Sequence, residues 1–132
     1  MDAAPPEFDK PYRNYFQEIY SVKPFKYYIS DLELINSNTG KILKVAENSY
    51  FLIDASGAGT EYIGVKAPAN KYDRIAFTIG VDSVRNVSGA QTGALDPANG
   101  MFWTWNSGYI MAKLEGNSPL STQVDNQRIL FY

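Results

Sequence analysis

Between Arg74 and Val81 the side chains alternate without a break. Ile75, Phe77, Ile79 and Val81 fall on one parity, and Arg74, Ala76, Thr78 and Gly80 on the other. A two-residue period belongs to an extended strand with one face turned inward, whereas a helix would spread these four side chains around its axis. The pattern predicts a strand whose Ile75, Phe77 and Ile79 line the core. Tyr109 to Glu115 alternates in the same way, with Ile110, Ala112 and Leu114 toward one side. Phe25 to Ile35 (FKYYISDLELI) changes phase midway, since Phe25, Tyr27 and Ile29 share one parity and Leu32 and Leu34 the other. A bulge near Ser30-Asp31 would bring both halves onto one face. Ser49 to Asp54 is apolar on both faces and is expected in a central position. Glu61 to Lys66 and Arg128 to Tyr132 are further strand candidates.

Six or seven short strands separated by turn clusters, with no convincing three-turn helix, predict an all-β antiparallel sandwich. The aromatic content of 14%, with ten tyrosines, agrees, because rings pack well across strands. A chain of 132 residues is enough for one domain with a real core and too short for two ordinary ones. Residues 1–14 hold Pro5, Pro6 and Pro11 and read as an N-terminal arm, leaving 15–132 as a single β-sandwich domain. Its last strand runs straight into Tyr132, which reads as a truncation at the C-terminus.

Composition removes several functional classes. There is no Cys, hence no disulfide and no thiolate metal site, and no His, the commonest metal ligand and general base. Catalysis would need paired carboxylates or an activated Lys. Asp31 and Glu33 share a strand face but have no identified partner across a cleft, so the chain does not read as an enzyme. A net charge of −2 with dispersed Lys and Arg gives no nucleic-acid footprint. Apolar runs such as Tyr50 to Ile53 are far too short to span a membrane.

The chemistry-bearing residues cluster between Asp82 and Tyr109. Asp82 to Gly100 is a long stretch without clear periodicity, and such loops are often functional, though a sheet crossover would look the same. Asp96-Pro97-Ala98-Asn99 resembles a helix start, with Asp96 as cap and Pro97 in the first position, predicting one short helical turn. Trp103 and Trp105 follow. In a strand the two rings would share a face and, with Tyr109, could form a stacking platform for a carbohydrate or other ligand. In a helical turn they would diverge by about 200°. Either ring could equally be core filler. The loop is expected to pack against Trp103 to Tyr109, with at least one indole largely buried and its N–H bonded to a backbone carbonyl or an Asn/Asp side chain, Asn99 or Asp96 foremost, and with Asp82 supporting the loop. Met101 is in principle a soft metal ligand, although beside Phe102 packing is the simpler role. Asp54, Asp73, Asp82 and Asp96 lack calcium-loop spacing and are expected to end strands or organise turns.

Several stretches together resemble the MbnP-like copper-binding family: Phe25-Lys26-Tyr27-Tyr28-Ile29-Ser30, then Ile79-Gly80-Val81-Asp82, then Leu95 to Tyr109 (LDPANGMFWTWNSGY). The match runs in order from about Tyr20 to Tyr132, and the Met-Phe-Trp-x-Trp-x-x-Gly-Tyr segment is its most specific part. The resemblance implies a bacterial β-sandwich binding protein, periplasmic or at the cell surface. It also implies copper in the full-length family context and a di-haem oxidase partner. In copper-binding relatives a tryptophan is oxidised to kynurenine beside His ligands, which singles out Trp103 or Trp105. Because this chain has no His, it is expected to hold no cofactor itself and to bind copper weakly or not at all.

Overall fold

The computed structural model describes residues 6–45, 49–57, 59–60, 62–69, 71–105, 108–121 and 128–131. Among these residues nine strands appear in chain order: β1 (Pro11–Arg13), β2 (Ile19–Asn36), β3 (Lys41–Lys44), β4 (Tyr50–Asp54), β5 (Arg74–Ile79), β6 (Phe102–Trp103), β7 (Gly108–Tyr109), β8 (Ala112–Asn117) and β9 (Arg128–Phe131). A short helix α1 (Ser83–Val87) lies between β5 and β6. Seven strands form one antiparallel sheet, and β6 and β7 form a separate two-stranded ribbon. The result is the expected all-β, antiparallel, sandwich-like fold.

The eighteen-residue β2 organises the sheet. Its residues 26, 27, 29, 30 and 33–35 each pair on two sides, which places β8 and β5 along one edge and β1, β4 and β3 along the other. Its register shifts between Ser30 and Glu33, where Asp31 takes a left-handed φ of 51°. This is the bulge that the phase change requires. Tyr27 and Ile29 before it and Leu32 and Leu34 after it therefore line one groove. A second shift falls between Val22 and Phe25, around Pro24. There β8 runs so close that a Cβ on Gly116 would sit 2.2 Å from the Ser21 carbonyl oxygen. Only glycine fits.

The core lies on the opposite face of β2. Tyr28, Val81, Leu95, Met101, Tyr109 and Ile110 form one buried cluster, against which Tyr50, Leu52, Phe102, Trp103 and Met111 pack. One layer is thus the sheet, and the other is the segment from 82 to 110 with its ribbon. The face predicted to be innermost is instead open. Ile75, Phe77 and Ile79 are 58%, 50% and 61% exposed, and the first two line the groove, a space of about 600 Å³. The alternation placed these three side chains together correctly, but Pro6, Phe8, Ile63 and Val65, which share the groove, leave all three at least half exposed while Ile29 and Leu32 beneath are buried. Val81, beyond the end of β5, does reach the core, because Gly80 adopts φ 126° and turns the chain against Met111.

Other elements also depart from expectation. Residues 62–66 form no strand, and Glu61 lies outside the described residues, as does Tyr132. Tyr109 belongs to β7 while β8 starts at Ala112, so Ile110 is buried and Ala112 exposed. Both faces of β4 are half-buried as expected, yet the strand at the centre of the sheet is β2. Within the arm, β1 pairs with β2, and Tyr12 stacks on Tyr20 at 5.8 Å.

Candidate functional site

The long segment after β5 holds three short turns of helix. Asp82 caps α1, its carboxylate accepting from Arg85 N–H at 3.0 Å. A 3-10 turn at Gly93–Leu95 leads into the expected one at Pro97–Asn99, where the Asp96 carboxylate accepts from Ala98 N–H and Gly100 closes the turn in the left-handed region. Asn99 donates its side-chain amide to the carbonyls of Gly93 and Ala94 at 3.0 Å, tying the two turns together. Asp96 and Asn99 are thus both engaged within the loop. Asp54 likewise organises the turn after β4 through Ser56 N–H, and Asp73 holds Ser37 N–H. All four aspartates serve as strand ends or caps.

As expected, the loop packs against the aromatic segment, and Tyr109 is the joint. Its N–H donates to Asn86 Oδ1 at 2.7 Å. Its phenol donates to Leu95 O at 2.9 Å and accepts from Gln91 N–H at 3.1 Å. The ring is 5% exposed and meets Phe102 and Tyr28 edge-on at 4.9 and 6.1 Å. Burial pushes its phenol above the ordinary range, with the Asp96 charge adding to the effect.

The two indoles lie at the rim. Trp103 ends β6, is half-buried and packs against the core, whereas Trp105 is 76% exposed. Their rings meet at 5.1 Å and 61°, an edge-to-face arrangement. At least one largely buried indole was expected. Trp103 goes only partway, because the two-stranded ribbon carries it to the edge of the layer. The extended reading holds for Trp103, and Trp105 falls in the turn that follows. No flat three-ring platform results, since Tyr109 is inside and the indoles are tilted. Met101 is fully buried in the apolar cluster and fills space there.

Sequence reasoning missed one pair. The Tyr50 phenol on β4 donates to the carboxylate of Asp82, across 32 residues. Burial first, and this hydrogen bond second, raise the Tyr50 pKa to about 12, while the same bond and the Arg85 N–H lower that of Asp82. Asp82 was legible as a loop support, but its partner was not.

These features define an all-β, sandwich-like domain with an aromatic rim, held by a loop that caps its own turns. The MbnP family model matches residues 2–131, and the chain belongs to the MbnP family. Among solved structures it is similar to MbnP from Methylosinus trichosporium, with 18% identity and a TM-score of 0.58 over 92% of this chain. It spans 54% of that relative's length. No curated protein matches. The family is a copper-associated one, which agrees with the resemblance carried by the Met101 to Tyr109 motif.

The donors for a copper site of the kind the resemblance implies do not fit this chain. It has no His and no Cys, and no group of three or more carboxylates gathers among the described residues. The Met101 thioether is sealed in the core. No helix among the described residues is long and apolar enough to cross a membrane.

Proposed function

We propose that the chain is the β-sandwich domain of an exported, copper-associated binding protein rather than an enzyme, acting in the periplasm or at the cell surface. We assign Trp105 as the residue that a di-haem oxidase partner modifies. The observation that carries this assignment is the exposure of Trp105, 76%, beside a half-buried Trp103 only 5.1 Å away. An oxidase working from outside reaches Trp105 first. Conversion to kynurenine leaves the residue with one more oxygen and one fewer carbon. Peptide mapping of the protein purified from its native host is expected to find that mass change at Trp105. Two unmodified indoles, or a change at Trp103 alone, would sink the assignment.

Copper association on this reading does not pass through an imidazole set within these residues. Titration calorimetry with Cu(II) and with Cu(I) is expected to give binding weaker than about 1 µM, roughly 8 kcal/mol. A tight one-to-one complex would show that oxygen, backbone and thioether donors suffice. The carbohydrate-platform alternative needs coplanar accessible rings. The tilt of the indoles and the burial of Tyr109 favour the modified-tryptophan reading over it.

A further inference from the structure

A row of aromatic rings leads from the surface into the sheet. It begins at exposed Trp105, which touches Trp103, and Trp103 packs on the cluster that holds Tyr109. Tyr109 meets Tyr28 edge-on at 6.1 Å. On the sheet, Tyr28 pairs with Leu52 and Ser30 with Tyr50, so Tyr28 and Tyr50 are diagonal neighbours on the core face of β2 and β4. The row ends at the Tyr50 phenol, bonded to the Asp82 carboxylate.

The three phenols differ in what receives their protons. Tyr28 donates to the Ala94 carbonyl at 3.1 Å and Tyr109 to the Leu95 carbonyl at 2.9 Å. A peptide carbonyl is too weak a base to accept a proton, so oxidation would leave either ring as a buried cation, which is costly. Tyr50 alone among the three donates to a carboxylate. It can lose an electron and its proton together, leaving a neutral phenoxyl ring.

We infer that Tyr50 is a redox-active tyrosine that refills electron vacancies created at Trp105. A one-electron oxidant takes an electron from the Trp105 indole and is itself reduced, and the indole N–H proton leaves to water. An electron then passes from Tyr50 along the row to the indole, which regains a proton from water. The Tyr50 O–H bond breaks and its proton forms a carboxyl O–H on Asp82. The net change is a reduced oxidant, an intact indole and a Tyr50 phenoxyl radical beside neutral Asp82. The pair thus diverts oxidation from the exposed indole into the sheet.

Pulse radiolysis of the intact chain with azidyl radical tests this, because that one-electron oxidant attacks indoles in preference to phenols. The indolyl absorbance is expected to decay at a rate independent of protein concentration, with a matching rise of phenoxyl absorbance. Tyr50→Phe should abolish the matched rise, and Asp82→Asn should slow it while still capping α1, since Asn caps nearly as well as Asp. Circular dichroism identifies any variant that has not folded. During prolonged mild oxidation, Tyr50→Phe should also accumulate more oxidised Trp105 by peptide mass mapping. An unchanged phenoxyl rise in folded Tyr50→Phe, or an indolyl radical that decays without one in the parent chain, overturns the inference. Because azidyl radical replaces any protein partner, neither result depends on whether Trp105 is modified in the cell.

Discussion

Tyr109 ties the loop to the β6–β7 ribbon through four hydrogen bonds, three of them made by its phenol. Tyr109→Phe keeps the ring but strands the Gln91 N–H and the Leu95 carbonyl in a largely dry setting. The expected cost is about 1–3 kcal/mol, read as a lower urea midpoint with an unchanged slope. A variant as stable as the parent would mean that water satisfies both groups. Sequence reading offered Tyr109 as part of a stacking platform and did not foresee its burial, and the reason is separation: the loop partners of its phenol lie 14, 18 and 20 residues away. The cap made by Asp96 was legible because it acts within two residues of itself, whereas the helix that Asp82 caps was not foreseen. The Tyr50–Asp82 bond obeys the same rule in reverse, as no local pattern links two residues so far apart.

At the level of elements, a phase change in an alternating strand is information about backbone, and the bulge in β2 is its physical form. Asp31 holds φ 51°, a region that short polar side chains tolerate and β-branched ones do not. Asp31→Val is expected to cost about 1–2 kcal/mol in chemical denaturation, while Asp31→Asn should cost little. Equal stability of the two variants would show that the register shift does not need that conformation. The strand β5 marks the limit of such reading. Its period fixed which side chains share a face, but which face is covered depends on what packs against it from elsewhere in the chain. Phe77→Ala is therefore expected to cost only about 1 kcal/mol, because half of that ring already meets water. Met101→Ala, at a position fully buried on the other face, should cost about 2–5 kcal/mol. Reversal of that order in urea titrations would show β5 to be the buried element after all.

Across the whole molecule, the titratable groups make folding sensitive at both ends of the pH scale. Asp54, Asp73 and Asp82 all have folded pKa values below the ordinary carboxylate range. For Asp54, burial acts upward and is outweighed by Ser56 and Lys26; for Asp73 and Asp82, the leading causes are the Ser37 and Tyr50 hydrogen bonds. A depressed folded value means that the unfolded chain takes up protons first. The contribution is complete above the usual carboxylate range and fades as pH falls through the folded values. The tyrosines act in the opposite sense. Burial, reinforced by Tyr109 for Tyr28 and by Asp82 for Tyr50, raises both phenols from 10.0 to about 12. Between those values the folded protein keeps both protons while the unfolded chain releases them. Their contribution is therefore full below pH 10 and is lost as pH rises toward about 12. Melting temperatures measured across that interval are expected to fall steeply for the parent chain and less steeply for Tyr50→Phe, which has one such phenol fewer. Phenolate absorbance of the folded protein should show Tyr28, Tyr50 and Tyr109 titrating late, and one of these late steps should disappear in the variant. If Tyr50→Phe titrates like the parent and its melting curve keeps the same alkaline slope, the Tyr50 phenol does not hold its proton against solvent, and the pairing with Asp82 does not persist in solution.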